Sequence, residues 1–452
     1  MASSVRIGNG QGFWGDSVDA PIRLLRGGPI DYITMDYLAE VTMSIMQRQK
    51  VRNPERGYAT DFVRFVDEVF PEVSERGIRI VANAGGVNTQ ACRDRVLDAA
   101  RRHGVKDMKI GTVAGDDILN RLQELRDAGE KFTNMETGEG LFDQEREILA
   151  ANVYMPTDGV VQALDQGAQI VITGRCTDPG LVLAPILHEF KWKGYDAVAL
   201  GTIAGHILEC GAQATGGNFT RWWEVPHMAD IGYPIAEVSA DGGVVITKHE
   251  GRGGLVTVDT VSEQLLYEMG NPTNYITPDC VVDFTSIQIA QDGPNRVRVS
   301  GVRGAAPTET LKVSISYLAG YKAVGQLVVS GPDAHAKAKL CAEIVWDRLK
   351  MAGVTFDQTH QEFLGVGVVH EGIVAAPEQP PEVVLRLAVK DSNRAKVDRF
   401  GKEIAPLVTS GPPGVTGFAG GRPKPQEIVA YWPALMGRDR VTPEVSVVEV
   451  GS

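Results

Sequence analysis

Ile78-Arg79-Ile80-Val81-Ala82 runs directly into Asn83-Ala84-Gly85-Gly86-Val87-Asn88. A short apolar run bounded by glycine and asparagine reads as a buried strand ending in a tight loop. A helical pattern over 88–103 completes a strand–loop–helix unit. The same rhythm recurs on both sides. It predicts strands at 5–7, 31–34, 109–113 and 169–173, and helices near 36–48, 116–128, 157–167 and 196–210. Alternating βα units of this kind imply an α/β fold built on a mainly parallel sheet flanked by helices, either doubly wound or a partial barrel. Beyond residue 280 the texture changes to alternating strands at 281–290, 296–302, 312–317 and 321–330. Two strand-plus-helix stretches, 321–352 and 383–408, and a last strand at 445–450 follow. The expected division is therefore an α/β domain over 1–279 and a smaller α+β domain over 280–452.

Bulk properties narrow the function. The chain has 452 residues, 43% hydrophobic and 23% charged, with a formal charge of −12. That balance belongs to a folded globular protein and argues against nucleic acid or an anionic membrane as partner. Five scattered cysteines (Cys92, Cys176, Cys210, Cys280 and Cys341) contain no C-x-x-C pair, so they read as reduced thiols. Met1-Ala2-Ser3-Ser4 leads straight into a strand, and no apolar run approaches membrane-spanning length. A cytoplasmic location is the expectation.

Loops of small and polar residues end several strands, where open parallel sheets bind ligands. Gly8-Asn9-Gly10-Gln11-Gly12-Phe13-Trp14-Gly15-Asp16 lets backbone approach an anion closely, with Gly10, Gly12 and Trp14 as contacts. Its spacing is not the dinucleotide fingerprint, and a tight structural turn is the rival reading. Asn83, Gly85 and Gly86 form a second such loop. Arg175 at a strand's carboxyl end can grip a carboxylate or phosphate, or simply pair with Asp178. Asp16 is a candidate base. Asp116 and Asp117 are candidates too, against the plainer reading that they complement a helix dipole.

The segment 196–218 carries most chemistry. Asp196 can cap a helix running to Cys210, and Gly211 suits the left-handed position after it. His206 and Glu209 then flank one face of the last turn beside Cys210. The dipole there favours a protonated imidazole and disfavours a thiolate, so His206 with Glu209 is the candidate acid–base pair. A divalent metal on this pair would need a third ligand from elsewhere, and a purely structural helix-end pair also fits. Gln213, Thr215, Gly216 and Asn218 then offer donors for an oxyanion or carboxylate. No G-x-S-x-G elbow, Walker loop or H-E-x-x-H helix occurs, which weighs against the common hydrolase, NTPase and metalloprotease classes.

Three segments resemble the acyclic terpene utilisation (AtuA) family. They are Ile7-Gly8-Asn9-Gly10-Gln11-Gly12-Phe13-Trp14-Gly15-Asp16-Ser17, Val81-Ala82-Asn83-Ala84-Gly85-Gly86-Val87-Asn88, and Val171-Ile172-Thr173-Gly174-Arg175 continued by Gly205-His206-Ile207-Leu208-Glu209-Cys210-Gly211-Ala212-Gln213-Ala214-Thr215-Gly216-Gly217-Asn218-Phe219. Further matches include 31–40, 234–237, Tyr267-Glu268 and 275–279. Gly251-Arg252-Gly253-Gly254 departs from the family's tighter glycine loop. The resemblance implies a place in the breakdown of branched acyl-CoA thioesters. CoA would then enter as part of the substrate, and the sequence itself names no cofactor.

Longer relatives carry a C-terminal ferredoxin-fold module whose signature is missing here. A separate small ferredoxin-fold subunit is therefore expected, docking on the uncharged 411–421 loop with Phe418, and a homo-oligomer is expected too. The preferred activity is a hydratase or dehydratase acting on a small branched carboxylic acid or its CoA thioester. A hydrolase or acyl-transfer enzyme using Cys210 or a metal-bound water, and a non-catalytic acyl-CoA-binding scaffold, stay open beside it.

Overall fold

The computed structural model describes residues 3–417 and 420–451. They fall into two compact units, one reaching Ser316 and resuming at Tyr431, the other Tyr317–Ala430. Residues 280–316, assigned above to the second domain, lie in the first unit, and the chain's end returns there. The reason is strand pairing. Gln288–Gln291 and Val297–Ser300 continue the first unit's sheet through Val244–Thr247, and Glu444–Glu449 pairs with Lys109–Ala114.

Five parallel strands form the middle of this ten-stranded sheet. Their spatial order is Ser4–Gln11, Tyr32–Met35, Arg79–Ala82, Ile170–Thr173, Lys109–Ala114. All five match strands expected from the sequence. The sheet as a whole is not mainly parallel, however, because antiparallel strands extend both edges: Ile235–Ser239 and its hairpin partners on one side, Glu444–Glu449 on the other. Hairpins need only a tight turn such as Asp241-Gly242-Gly243, whereas a parallel neighbour needs a crossover helix. The sheet stays open at both ends, so no barrel closes.

Helices cover two faces. Ala20–Arg26, Thr60–Arg76 and Thr89–Arg102 bury one set of alternate strand residues, including Ile33, Met35 and Ile80. Asp158–Asp165, Gly180–Phe190 and Tyr195–Glu209 lie against the other. Two of these helices are absent from the sequence reading. Thr60–Arg76 and Gly180–Phe190 contain Pro71 and Pro185, and an internal proline normally ends a helical pattern. Burial of Phe62, Phe65, Val66, Val69, Phe70 and Val73 along one stripe overrides it. No helix among the described residues is long and apolar enough to cross a membrane.

The second unit runs strand (317–330), helix Ala334–Met351, strand Gln358–Leu364, strand Glu382–Asp391, helix Arg394–Ile404, and a short strand Val415–Thr416. Glu382–Asp391 sits between the first two strands, and Val415–Thr416 takes the free edge of the first. That β-α-β-β-α-β order is the ferredoxin-like arrangement, so the chain contains such a unit itself. The edge pairing also changes the reading of the 411–421 loop. Val415 is buried and paired with Val329 at the sheet edge, which removes it from any docking surface. Phe418 lies outside the described residues.

Both helices of this unit pack on one sheet face around Phe400, which stacks on Trp346 at 6.1 Å and meets Phe356 edge-on at 6.4 Å. Phe400→Ala should cost about 3–5 kcal/mol, as large core truncations do. Urea unfolding measures it, and a loss below about 1 kcal/mol would show that this ring does not anchor the helix layer.

Candidate active site

The carboxyl ends of the parallel strands carry the polar groups. Asp36 follows the second strand and Asn83 the third. Asn83 Nδ2 donates to Asp36 Oδ1 at 2.6 Å, Leu38 N donates to the same oxygen at 3.1 Å, and Tyr37 N donates to Asn83 Oδ1 at 2.6 Å. Burial, reinforced by the charge of Asp178, pushes the Asp36 carboxyl well above the ordinary range.

After the first strand the chain turns at Gly12, where a Cβ would stand 2.8 Å from the Cys210 carbonyl carbon. Glycine is what lets this loop touch the end of the Tyr195–Glu209 helix. Asp16 locks the turn. Its Oδ2 accepts from Gly12 N at 3.0 Å, and its Oδ1 from Tyr233 OH and Ser17 N at 2.6 Å each.

Helix Tyr195–Glu209 ends as expected, with Gly211 at φ 58°. Its start differs: Gly194 occupies the cap position, and Asp196 instead accepts from Gly304 N at 2.8 Å. The helix's last carbonyls are capped from the first strand, since Asn9 Nδ2 donates to Leu208 O at 2.5 Å and Glu209 O at 3.0 Å.

His206 and Glu209 meet at 3.0 Å, Nδ1 to Oε1. The imidazole is only 1% exposed, held between the rings of Tyr275 and Phe284, and its Nε2 lies 3.3 Å from Leu265 O. A carbonyl at that distance places the hydrogen on Nε2. Burial lowers the imidazole's proton affinity, yet the Glu209 hydrogen bond and charge outweigh it and raise the pKa. Glu209 is also raised, burial being the main cause and His206 opposing it. The pair therefore keeps its proton to higher pH than an exposed carboxylate would. Glu209 Oε2 is buried without a hydrogen-bond partner among the described residues.

Arg175 is 2% exposed and bridges to Asp178 through both terminal nitrogens. Its guanidinium carbon lies 4.0 Å over the Tyr154 ring, and its Nε has no hydrogen-bond partner among the described residues. Tyr154 OH donates to Glu40 Oε1 at 2.6 Å, and Lys312 Nζ stands 3.6 Å from the same oxygen.

Several of these groups line a cleft of two adjoining lobes. The central lobe, about 650 Å³, is bounded by Gly12, Phe13, Asp36, Arg175, Glu209 and Gln213, among others. The second, about 390 Å³, is walled by apolar groups including Met135, Ile276, Pro278, Leu311 and Leu435. Glu40, Asp178, Glu268 and Lys312 line both.

Of the residues singled out from sequence, Gly12, Arg175, Asp178, Glu209 and Gln213 border the central lobe. His206 stands behind Glu209 and does not border it. Trp14 turns away and donates to Asp61 Oδ2 at 3.2 Å; its neighbour Phe13, 59% exposed, is the aromatic that this loop brings to the cleft. Gly10 makes room for Pro21, Gly85 for Thr89 and the Thr173 carbonyl, and Gly86 for Met46. Thr215 is buried and donates to Ala212 O, while Gly216 packs on Val225. Asn218 Nδ2 donates to Gln213 Oε1 at 3.1 Å, in a separate pocket that shares Gln213 and Tyr267 with the central lobe. Asp116 supports Arg175 by accepting its backbone N–H at 2.8 Å, and Asp117 caps a local turn through Leu119 N. Among the described residues no three His, Cys, Asp or Glu side chains group to hold a metal ion.

Asp36, Glu40, Glu268, Tyr275 and Lys312 were not singled out as site residues. The first four lie inside blocks quoted only for resemblance, and Lys312 sits in a stretch read as a plain strand.

The model of the acyclic terpene utilisation family protein AtuA matches residues 5–447. The chain belongs to that family. A search of curated proteins found no match. In this AtuA-family chain the 8–16 and 83–88 loops follow parallel strands as the pattern of apolar runs predicted, and of these two only the Gly12 turn reaches the cleft wall.

Burial raises the Asp116 carboxyl to about 7. Between its ordinary value and 7 the folded chain thus holds a proton that the unfolded chain has lost, so its contribution to stability falls as pH rises through that window. Asp116→Asn removes this dependence. The melting-temperature drop from pH 5 to pH 8 should shrink, without vanishing because buried Asp279, raised to about 6, acts in the same sense. An unchanged drop would show that Asp116 ionises normally.

Proposed function

We propose that the chain is a hydro-lyase that adds water to, or removes it from, a branched carboxylic acid or its thioester. The observation that carries this reading is Glu209: a cleft-wall carboxyl with raised proton affinity and one oxygen without a partner, next to an apolar lobe. A general base works best when its pKa lies near the working pH.

In the hydration direction the Glu209 carboxylate takes a proton from water as the hydroxyl bonds to the β-carbon of an α,β-unsaturated carbonyl. The C=C electrons move onto the carbonyl oxygen, which Lys312 holds as an oxyanion. As the carbonyl re-forms, the α-carbon takes the proton of the Asp36 carboxyl, which burial keeps protonated. Solvent then returns a proton to Asp36 and removes one from Glu209. Dehydration is the reverse. His206 orients Glu209 and supplies a positive partner. Arg175, whose charge Asp178 already meets, fixes that aspartate and the Tyr154 ring. The branched chain lies in the apolar lobe.

A thiol nucleophile is the weaker alternative, since burial and the Glu209 charge push Cys210 up to about 12. With unsaturated branched acids and thioesters as substrates, Glu209→Gln should lower kcat/KM ~100-fold or more, the usual scale for losing a general base. His206→Gln should move the acidic limb of the pH profile upward, because His206 lowers the Glu209 pKa. Cys210→Ala should keep most activity. Equal loss in Cys210→Ala, with substrate protecting the thiol from alkylation, would favour acyl transfer instead. Full activity in Glu209→Gln would remove this reading altogether.

We also propose that the chain works with a separate small ferredoxin-fold subunit. Co-elution of the two chains on size exclusion supports it, and a fully active chain eluting alone removes it.

A further inference from the structure

A second polar pocket of about 610 Å³ lies in the first unit and shares no lining residue with the cleft. It sits toward the other end of the sheet. Arg6 lines it from the start of the first strand, six residues before Gly12, a separation of roughly 20 Å along an extended chain. Gly27–Pro29, which precede the second strand, form another wall.

Its chemistry is basic in a chain of net charge −12. Arg6, Lys248, Arg252 and Arg296 line it, against Glu237 and Glu250, while burial lowers the proton affinity of His249 beside them and Arg252 also pairs with Asp230 at 3.1 Å. Glu237 is shared by Arg6 and by Arg296, the latter at 2.7 Å, so two guanidinium groups divide one carboxylate. Lys248 is the telling group. It is 7% exposed, its Nζ donates to the Arg252 carbonyl at 2.7 Å, and no carboxylate pairs with it among the described residues. Burial lowers its pKa with nothing to offset it. An unpaired, nearly buried ammonium is costly, and a bound anion would relieve that cost.

The neighbouring wall is shaped to match. His249 Nε2 lies 2.9 Å from Leu24 O, and a Cβ at Gly28 would come within 2.7 Å of His249 Nδ1. Only a residue without a Cβ can approach the ring this closely.

We propose that this pocket binds a small phosphate-bearing molecule, with Lys248 as the central contact and Arg252 and Arg296 beside it. The volume is that of a small-molecule site, and guanidinium groups suit phosphate oxygens. No step of the proposed lyase reaction uses these residues.

Inorganic pyrophosphate is the probe, titrated calorimetrically into the full chain. Binding is expected, weakening as salt rises from about 50 to about 200 mM as screening requires. Lys248→Met, which keeps the stem's volume, should weaken it tenfold or more. Glu209→Gln should leave it unchanged. Should Lys248→Met fail to fold, Arg296→Gln, at a more exposed position, decides with at least a threefold loss. Absence of binding, unchanged affinity in the pocket variants, or a loss confined to Glu209→Gln would each overturn the proposal.

Discussion

The end of one helix rests on the first strand, and the cleft depends on that contact. Asn9, in the strand, caps the Leu208 and Glu209 carbonyls, and the Gly12 turn lies against Cys210 and Gly211. Residues some two hundred positions apart are thereby fixed within hydrogen-bonding distance. The capped carbonyls are buried, and leaving them unpaired would cost of order 1–3 kcal/mol each. The contact thus both completes the helix and sets where the Glu209 side chain enters the cleft. Asp16, through Gly12 N and Tyr233 OH, holds the turn that makes the contact possible. It is a positioning residue for the site.

Once that frame is set, the cleft has an electrostatic problem. Asp36, Glu40, Asp178, Glu209 and Glu268 border it with only Arg175 and Lys312 as cations. Five ionised carboxylates could not share so small a volume with two positive charges. Burial and mutual repulsion raise Asp36, Glu209 and Glu268, while Tyr154's hydrogen bond and the nearby cations overcome burial and lower Glu40. Carboxyls pushed in opposite directions by their surroundings are the usual mark of divided acid and base roles.

Much of the frame was legible in sequence because it rests on local signals. The five parallel strands are short apolar runs ending in Gly, Asn or Asp, and Gly211 marks the helix end by its left-handed backbone. What stayed hidden depends on distant packing. The Pro71 and Pro185 helices needed buried stripes to outweigh a helix breaker. The antiparallel edges depend on which strand finds a free neighbour, which alternation alone does not specify. Phe13 takes the place expected of Trp14 because Asp61, far along the chain, offers Trp14 a hydrogen bond. Lys312 carries no local signal at all: it becomes a site residue only because its strand passes Tyr154 and Glu40.

His206 illustrates the same limit from the other side. Sequence spacing joined it to Glu209, whose hydrogen bond and charge are what raise the imidazole's proton affinity. Spacing could not tell which of the two faces a ligand. Tyr275 and Phe284 close on the imidazole, and Leu265 O occupies its far nitrogen, so every side of the ring is taken. Reaching the cleft would mean breaking that hydrogen bond in an apolar surrounding. Glu209, by contrast, spends one oxygen on the histidine and has the other unpartnered. The division of labour follows from packing: the imidazole sets the carboxyl's orientation and proton affinity, and the carboxyl carries that setting to the cleft wall.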